Sequence, residues 1–157
     1  MLELKVKRGD YAKEFPLLKI AKAGDVGLDV AVAFPSKDQV VVVNPGERYL
    51  APTDIKIEIP EGYWASIEAR SSTSKKSLIV PKGVIDEGYR GELFAQIINV
   101  GKEPAEIRHG DRLIQIIMHE RVIKDFIITE VDELTESERG ESGFGSSGSS
   151  VFDDTYK

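Results

Sequence analysis

The 157-residue chain has no cysteine and only two histidines, and these shortages restrict its chemistry. Without cysteine it can form no disulfide, thiol nucleophile or cysteine-based metal site. His109 and His119 are too few and too far apart in the sequence to indicate a metal cage. The formal net charge of −6 argues against non-specific binding to nucleic acid or to an anionic membrane. A local basic cluster can still bind a small anion.

Long apolar runs are missing as well. No run approaches the roughly 20 residues that a membrane helix needs. The first 15 residues, MLELKVKRGDYAKEF, lack the apolar centre of a signal peptide. We therefore expect a soluble, cytoplasmic protein that binds neither membrane nor nucleic acid.

The residues that are abundant favour β structure. Apolar residues make up 41% of the chain, and 14 glycines and 7 prolines accompany many valines and isoleucines. Short alternating segments predict about ten strands, the number and spacing typical of a sandwich or jelly roll. The predicted strands include residues 2–7, 17–20, 39–43, 47–50, 53–59, 63–69, 92–100, 105–108, 113–119 and 122–131.

The composition changes near residue 134, where the chain becomes acidic and then rich in glycine and serine. Such a segment has too little apolar content to form a core. We predict a β domain over residues 1–133 and a flexible arm over 134–157. Phe144 lies between glycines in this arm, which indicates a flap that folds over a ligand.

Residues 83–93, GVIDEGYRGEL, lie between two apolar alternating segments and read as a β-hairpin with Asp86 and Tyr89 near its bend. Glycine in a turn allows a ligand to approach the backbone closely. Asp86 is then a candidate carboxylate aimed into a pocket, although an aspartate in such a turn is most often only a turn residue.

Two further segments are candidates for ligand contacts. The sequence RSSTSKK at 70–76 offers hydroxyls, backbone N–H groups and cations for an anion. Its alternative interpretation is a solvated loop that caps a short helix. Gln115 is a polar residue in a mostly apolar strand, so it either satisfies backbone groups or faces a site.

Five segments, in this order, resemble the five motifs of the homotrimeric dUTPases. They are AGDVGLDV at 23–30, RSS at 70–72, GVIDEGYRG at 83–91, GDRLIQ at 110–115 and RGESGFGSSG at 139–148. The chain departs from the family pattern at Asp25, Val26 and Ser142, where small residues or glycine are usual. Val80 replaces an asparagine that reads uracil in some members, which favours recognition of the base by the hairpin backbone.

The resemblance implies a jelly-roll-like β barrel that assembles as a homotrimer with shared active sites. It implies hydrolysis of dUTP to dUMP and pyrophosphate by attack of water on the α-phosphorus, which lowers dUTP and supplies dUMP for dTTP synthesis. It also implies Mg²⁺ that is held by the substrate phosphates and water, with no direct protein ligand.

Residue roles follow from the same resemblance. Asp86 would be the general base, with Arg70 and Gln115 as further catalytic residues, and Asp29 and Asp111 would belong to structural parts of the motifs. The implied substrate-binding residues are Ser71, Ser72, Gly83, Val84, Ile85, Asp86, Tyr89, Phe94, Gln115, Arg139, Phe144, Gly145, Ser146 and Ser147.

Two rival interpretations stay open. The dCTP deaminases share this fold and a similar hairpin motif, but their catalytic glutamate would fall at Gln96, and an amide cannot act as that base. The second rival is a non-catalytic nucleotide-sensing protein of the same fold with an unknown regulatory partner.

Overall fold

The computed structural model describes residues 2–20, 22–122 and 126–137. The chain divides into two units, residues 1–124 and 125–157, and all the strands of the described residues belong to the first. These strands are β1 Lys5–Arg8, β2 Gly27–Ala31, β3 Val40–Val43, β4 Arg48–Glu58, β5 Tyr63–Ala69, β6 Leu78–Ile79, β7 Gly83–Ile85, β8 Glu92–Asn99, β9 Ala105–Arg108 and β10 Arg112–Glu120. Two single-turn 3₁₀ helices, Ala12–Glu14 and Ser74–Lys76, complete the described elements.

The all-β prediction is confirmed. The strands form two four-stranded sheets in the orders β1-β4-β8-β6 and β2-β10-β5-β7, and a two-stranded sheet of β3 and β9. Both four-stranded sheets are antiparallel, and each turns one face toward a common apolar core. In the described part of the chain, no helix is long and apolar enough to cross a membrane.

Strict alternation of side chains explains why β8 forms. Leu93, Ala95 and Ile97 are buried at 1% exposure or less, while the residues between them are half-buried. Because successive side chains on a strand point to opposite faces, this pattern directs one face into the core. The other face of β8 is then available for contacts outside the core.

Some predicted strand bounds are wrong. The predicted strands 47–50 and 53–59 are one strand, β4, because Pro52 pairs opposite Phe94 without interrupting it. Residues 17–20 contribute only an isolated bridge between Ile20 and Leu28.

The predicted strand 122–131 is also wrong. Its described residues, 122 and 126–131, are not in a strand. The side chains of Ile127 and Ile128 are 92% and 91% exposed. An apolar sequence favours an extended backbone, but a strand also needs a partner for its N–H and C=O groups. The predicted arm 134–157 falls mostly outside the described residues and stays a prediction.

Candidate active site

The predicted hairpin pairs at its base and separates at its bend. β6 and β8 are antiparallel neighbours, with Leu78 opposite Asn99 and Ile79 opposite Ile98. Between them, β7 leaves this sheet and pairs with β5 in the other one. The hairpin therefore bridges the two sheets.

A cavity of about 300 Å³ lies between β7 and β8. A volume of this size is at the lower end of small-molecule sites. In the described part of the chain, β7 is the last strand of its sheet, and β6 covers only the final two residues of β8. Unpaired backbone edges of both strands therefore flank the cavity. Its lining residues are Ile67, Val84, Ile85, Asp86, Tyr89, Glu92, Leu93 and Phe94.

Asp86 lies at the mouth of this cavity, directly after β7, and it is exposed. Its backbone carbonyl accepts a hydrogen bond from the Tyr89 N–H at 3.0 Å, which closes a tight turn. Among the described residues, no cation lies within ion-pair distance of its carboxylate. Its neighbour Glu87 instead accepts from the Gly62 N–H at 2.8 Å and pairs with Arg121 at 3.3 Å. Glu87 thus anchors the turn and leaves the Asp86 carboxylate free.

Tyr89 forms one wall of the cavity. Its side chain is 43% exposed, and its hydroxyl donates to the Glu92 carbonyl at 2.8 Å. Phe94, on β8, is half-buried and also lines the cavity. Ile85 and Leu93 close the inner end and belong to the core.

A second polar cluster is built on Asp29. Its carboxylate accepts from the Arg70 Nε at 2.6 Å and from the Arg112 Nη1 at 3.2 Å. Arg70 also donates through Nη1 to the Ser72 hydroxyl and to the Arg112 carbonyl, at 3.3 and 3.2 Å. The guanidinium is therefore held in one orientation. Sequence reasoning missed Arg112, although it lies in the fourth motif.

The loop after Arg70 combines an exposed tip with a buried anchor. Ser71 and Ser72 are exposed, whereas Thr73 is 1% exposed and its hydroxyl donates to the Leu113 carbonyl at 2.7 Å. The 3₁₀ helix Ser74–Lys76 follows, so the predicted short helix is present. Its first residue is not capped by the Thr73 side chain. The two serines are thus presented to solvent on a fixed backbone.

Gln115 lies on β10 between Asp29 of β2 and Glu68 of β5. Its Nε2 donates to the Ala69 carbonyl at 3.1 Å. Its amide oxygen packs on Gly27, where a Cβ atom would come within 1.9 Å of Oε1. Gln115 therefore satisfies a backbone group and is also half-exposed on the face that carries Asp29. This contact explains why position 27 requires glycine. The contact cannot be predicted from the sequence.

The remaining polar residues of this sheet face lie between the two clusters. Glu68 pairs with Lys82 at 3.0 Å, and the hydrogen bond from Lys82, followed by that from Ser66, lowers the pKa of the Glu68 carboxyl. His119 stacks on Trp64 with 4.2 Å between ring centroids. Asp111 lies directly before β10, where its carboxylate accepts from the Arg108 N–H at 3.0 Å and pairs with Lys76 at 3.5 Å.

The two clusters lie toward opposite ends of β5. Val84 pairs with Ser66, which puts Asp86 beside Trp64, whereas Arg70 follows the last residue of the strand. Arg70 lies six positions after Trp64, a span of about 20 Å at the rise of an extended strand. One chain therefore does not bring Asp86 and Arg70 together.

Five of the predicted site residues, Arg139, Phe144, Gly145, Ser146 and Ser147, lie outside the described residues. Their roles stay predictions. In the described ranges no three histidine, aspartate or glutamate side chains form a metal cage.

Comparison with known proteins places these features in one family. The dUTPase family model matches residues 13–148. A deoxyuridine 5'-triphosphate nucleotidohydrolase from Caldanaerobacter subterraneus subsp. tengcongensis is 39% identical over 148 residues, which cover 92% of this chain and 97% of the relative.

Solved structures agree. The dUTPase of Staphylococcus bacteriophage 80alpha, with dUpNHpp, matches with a TM-score of 0.75 and 29% identity over 93% of this chain and 98% of that one. A mutant dUTPase from phage phi11 of S. aureus, for which the coordination of a structural Mg(II) ion is described, has the same fold. Its TM-score is 0.65 at 24% identity, over 87% of this chain and 99% of that one. With the family model spanning most of its length and a curated relative at this identity, the chain belongs to the dUTPase family.

Proposed function

We propose that this chain hydrolyses dUTP to dUMP and pyrophosphate. The observation that carries the proposal is the exposed Asp86 carboxylate at the mouth of the cavity between β7 and β8. Among the described residues this carboxylate has no cationic partner, and the strand edges that flank the cavity are unpaired. The relative from Caldanaerobacter has this activity in its name, and the phage 80alpha enzyme binds dUpNHpp.

Asp86 acts as the general base in this proposal. It takes a proton from a water molecule, whose oxygen attacks the α-phosphorus while the bond to the bridging oxygen of pyrophosphate breaks. A carboxylate that no cation neutralises is able to accept this proton. The anchoring of Glu87 to Gly62 supports the role, because it fixes the turn without occupying the neighbouring carboxylate.

The uracil ring forms hydrogen bonds with backbone N–H and C=O groups of the hairpin. A strand edge offers alternating N–H and C=O groups, and a ligand can add to it as an extended peptide does. Gly83, Val84 and Ile85 provide one such edge, and Phe94 lies on the other. Tyr89 then lies against the sugar, where it leaves no room for a 2′-hydroxyl.

The phosphates bind at Arg70, Ser71, Ser72 and Gln115. Since Arg70 lies about 20 Å along β5 from Asp86 of the same chain, a second copy supplies the Arg70 cluster in this proposal. We propose a homotrimer in which each site combines the hairpin of one chain with the Arg70 cluster of its neighbour. The fifth motif, with Arg139, Phe144 and residues 145–147, would complete the site over the γ-phosphate and the base.

Mg²⁺ fits this site as a companion of the substrate. The Arg70 guanidinium neutralises part of the triphosphate charge, and the serine and glutamine groups donate hydrogen bonds to it. The other phosphate oxygens suit a cation that prefers oxygen ligands and keeps several waters. When bound, Mg²⁺ would supply further charge neutralisation to the phosphates. The cytoplasmic location stays a prediction.

One assay tests the function. Pyrophosphate release is measured from dUTP, dTTP, dCTP and UTP, with and without Mg²⁺. We expect strong preference for dUTP. Ammonia release from dCTP would favour the deaminase despite Gln96, and nucleotide binding without turnover would favour the sensing protein.

A further inference from the structure

β4 contains an irregularity opposite the start of β8, the strand whose first residues line the cavity between β7 and β8. Its register with β8 shifts between Pro52 and Lys56, and Asp54 has a φ of +54°, which is uncommon for a residue other than glycine. The shift leaves the N–H groups of Thr53 and Asp54 without backbone partners on β8. Both N–H groups donate to the same carboxylate oxygen of Glu92, at 3.1 and 2.9 Å.

Glu92 also faces the cavity through its backbone. Its carbonyl accepts the Tyr89 hydroxyl at 2.8 Å, and the residue lines the cavity with Tyr89. The side chain of Glu92 thus binds the irregular part of β4, and its main chain holds the aromatic wall. Neither contact is evident from a sequence in which Glu92 reads as an ordinary strand residue.

Further hydrogen bonds hold the part of β4 that the Glu92 side chain binds. Thr53 is fully buried, and its hydroxyl donates to the Leu93 carbonyl at 2.6 Å. The Asp54 carboxylate accepts from the Tyr11 and Ala12 N–H groups at 3.0 and 3.3 Å. An N–H group that lost its acceptor here would have little access to water, and that loss is costly. The hydrogen bonds of the Glu92 carboxylate to Thr53 and Asp54 therefore fix the position of Glu92, the first residue of β8.

We propose that Glu92 is a positioning residue that holds Tyr89 against the sugar side of the cavity and thereby sets the preference for deoxyribose over ribose. This inference depends on the proposed function, in which Tyr89 contacts the sugar. The Glu92 side chain acts only as a hydrogen-bond acceptor. The oxygen of an amide can replace it, whereas a methyl group cannot.

Three variants test the inference: Glu92→Ala, Glu92→Gln and the control Glu61→Ala, which alters an exposed turn. The measurements are KM and kcat for dUTP and UTP, and the affinities for dUMP and UMP by calorimetry. For Glu92→Ala we expect the deoxyribose preference to fall by roughly tenfold, as the loss of a half-buried acceptor of two N–H groups suggests. The change should appear mainly in KM. Glu92→Gln and Glu61→Ala should behave like the parent.

Tyr89→Phe provides a second route if Glu92→Ala does not fold. It removes only the hydroxyl that contacts Glu92, so it should lower the preference while the thermal transition stays close to the parental one. Unchanged preference in Tyr89→Phe or in folded Glu92→Ala would overturn the inference. An equal loss in Glu92→Gln would overturn the acceptor role.

Failure of the proposed function gives a different result. If the parent releases no pyrophosphate from dUTP, that function is wrong, but the affinities for dUMP and UMP still test Glu92. Equal binding of the two monophosphates by the parent would overturn the inference as well.

Discussion

Two aspartates of the shared motifs have opposite electrostatic surroundings. Asp29 contacts both Arg70 and Arg112, so its charge is balanced and it orients the guanidinium of Arg70. Asp86 is exposed at a cavity mouth and, among the described residues, has no cationic partner. The first arrangement suits a structural role, and the second suits proton transfer.

Replacement of Asp86 by asparagine should remove most of the turnover. The amide keeps the size of the side chain but cannot accept the proton, and loss of a general base typically costs about 10²- to 10⁴-fold in rate. Pyrophosphate release from dUTP measures the effect, with nucleotide binding and the thermal transition as checks on the fold. Asp38→Asn, in an exposed loop, is the control. Parental turnover in Asp86→Asn would show that another group is the base.

Gly27→Ala should impair turnover by displacing Gln115. The new methyl carbon would fall 1.9 Å from the Gln115 Oε1, so the amide must leave its contact with the Ala69 carbonyl. A double-mutant cycle with Gln115→Ala isolates this effect. The double variant should be little slower than Gln115→Ala alone. Fully additive losses would mean that Gly27 acts through something other than Gln115.

Glu68 should make stability depend on acid pH. The hydrogen bond from Lys82, followed by that from Ser66, holds the pKa of the Glu68 carboxyl below its ordinary value. A group whose folded pKa is lowered stabilises the fold above its unfolded pKa, and that contribution is lost as the pH falls through the folded pKa. The difference in Tm between parent and Glu68→Gln should therefore shrink as the pH is lowered from 7 to 3. A difference that is constant over this range, as expected of the exposed control Glu61→Gln, would contradict this role.

At the scale of elements, the alternation of apolar and polar residues predicts where many of the strands lie. It does not predict which strands pair with each other. β5 lies at the predicted bounds, Tyr63–Ala69, although three consecutive residues in its middle are buried and the burial does not alternate. The pairing of β7 with β5 rather than within its hairpin could not be predicted, because it depends on the relative placement of two sheets. The same holds for Asp29 and Arg70, which are 41 residues apart and meet only through strand register.

The prediction for 122–131 failed for a related reason. Its apolar residues satisfy the composition of a strand, but composition does not specify which strand would pair with it.

The candidate site was predicted through motifs that have a recognisable order. Arg112 and the proposed positioning residue Glu92 are absent from the predicted site because the Arg112 contact depends on the pairing of β10 with β2, and the Glu92 contacts depend on an irregular strand.

Removal of residues 139–157 should strongly reduce turnover and leave the thermal transition of the β domain nearly unchanged. The reason is that the fifth motif, with Arg139 and Phe144, is expected to contact the γ-phosphate and the base. Pyrophosphate release and calorimetry of the truncated chain measure the two effects. Full activity after truncation would exclude a role for this segment in the site.

At the scale of the whole molecule, mixed assemblies test whether sites are shared. Asp86→Asn and Arg70→Ala chains should each be nearly inactive alone. If chains mix at random in trimers, about a quarter of the sites would combine an intact Asp86 with an intact Arg70. Co-expression followed by mass measurement and activity assay checks this. No recovery in verified mixed trimers would mean that both residues of a site come from one chain.

The separation of the two clusters along β5 has a consequence for populations that contain both intact and damaged chains. A chain in which both Asp86 and Arg70 are defective would disable two sites. They are the site that uses its hairpin and the neighbouring site that uses its Arg70. In the proposed trimer with shared sites, one such chain would silence two of the three sites, whereas a self-contained subunit would silence only its own. A damaged copy would therefore act in a dominant manner, and its effect on total activity would exceed its share of the protein.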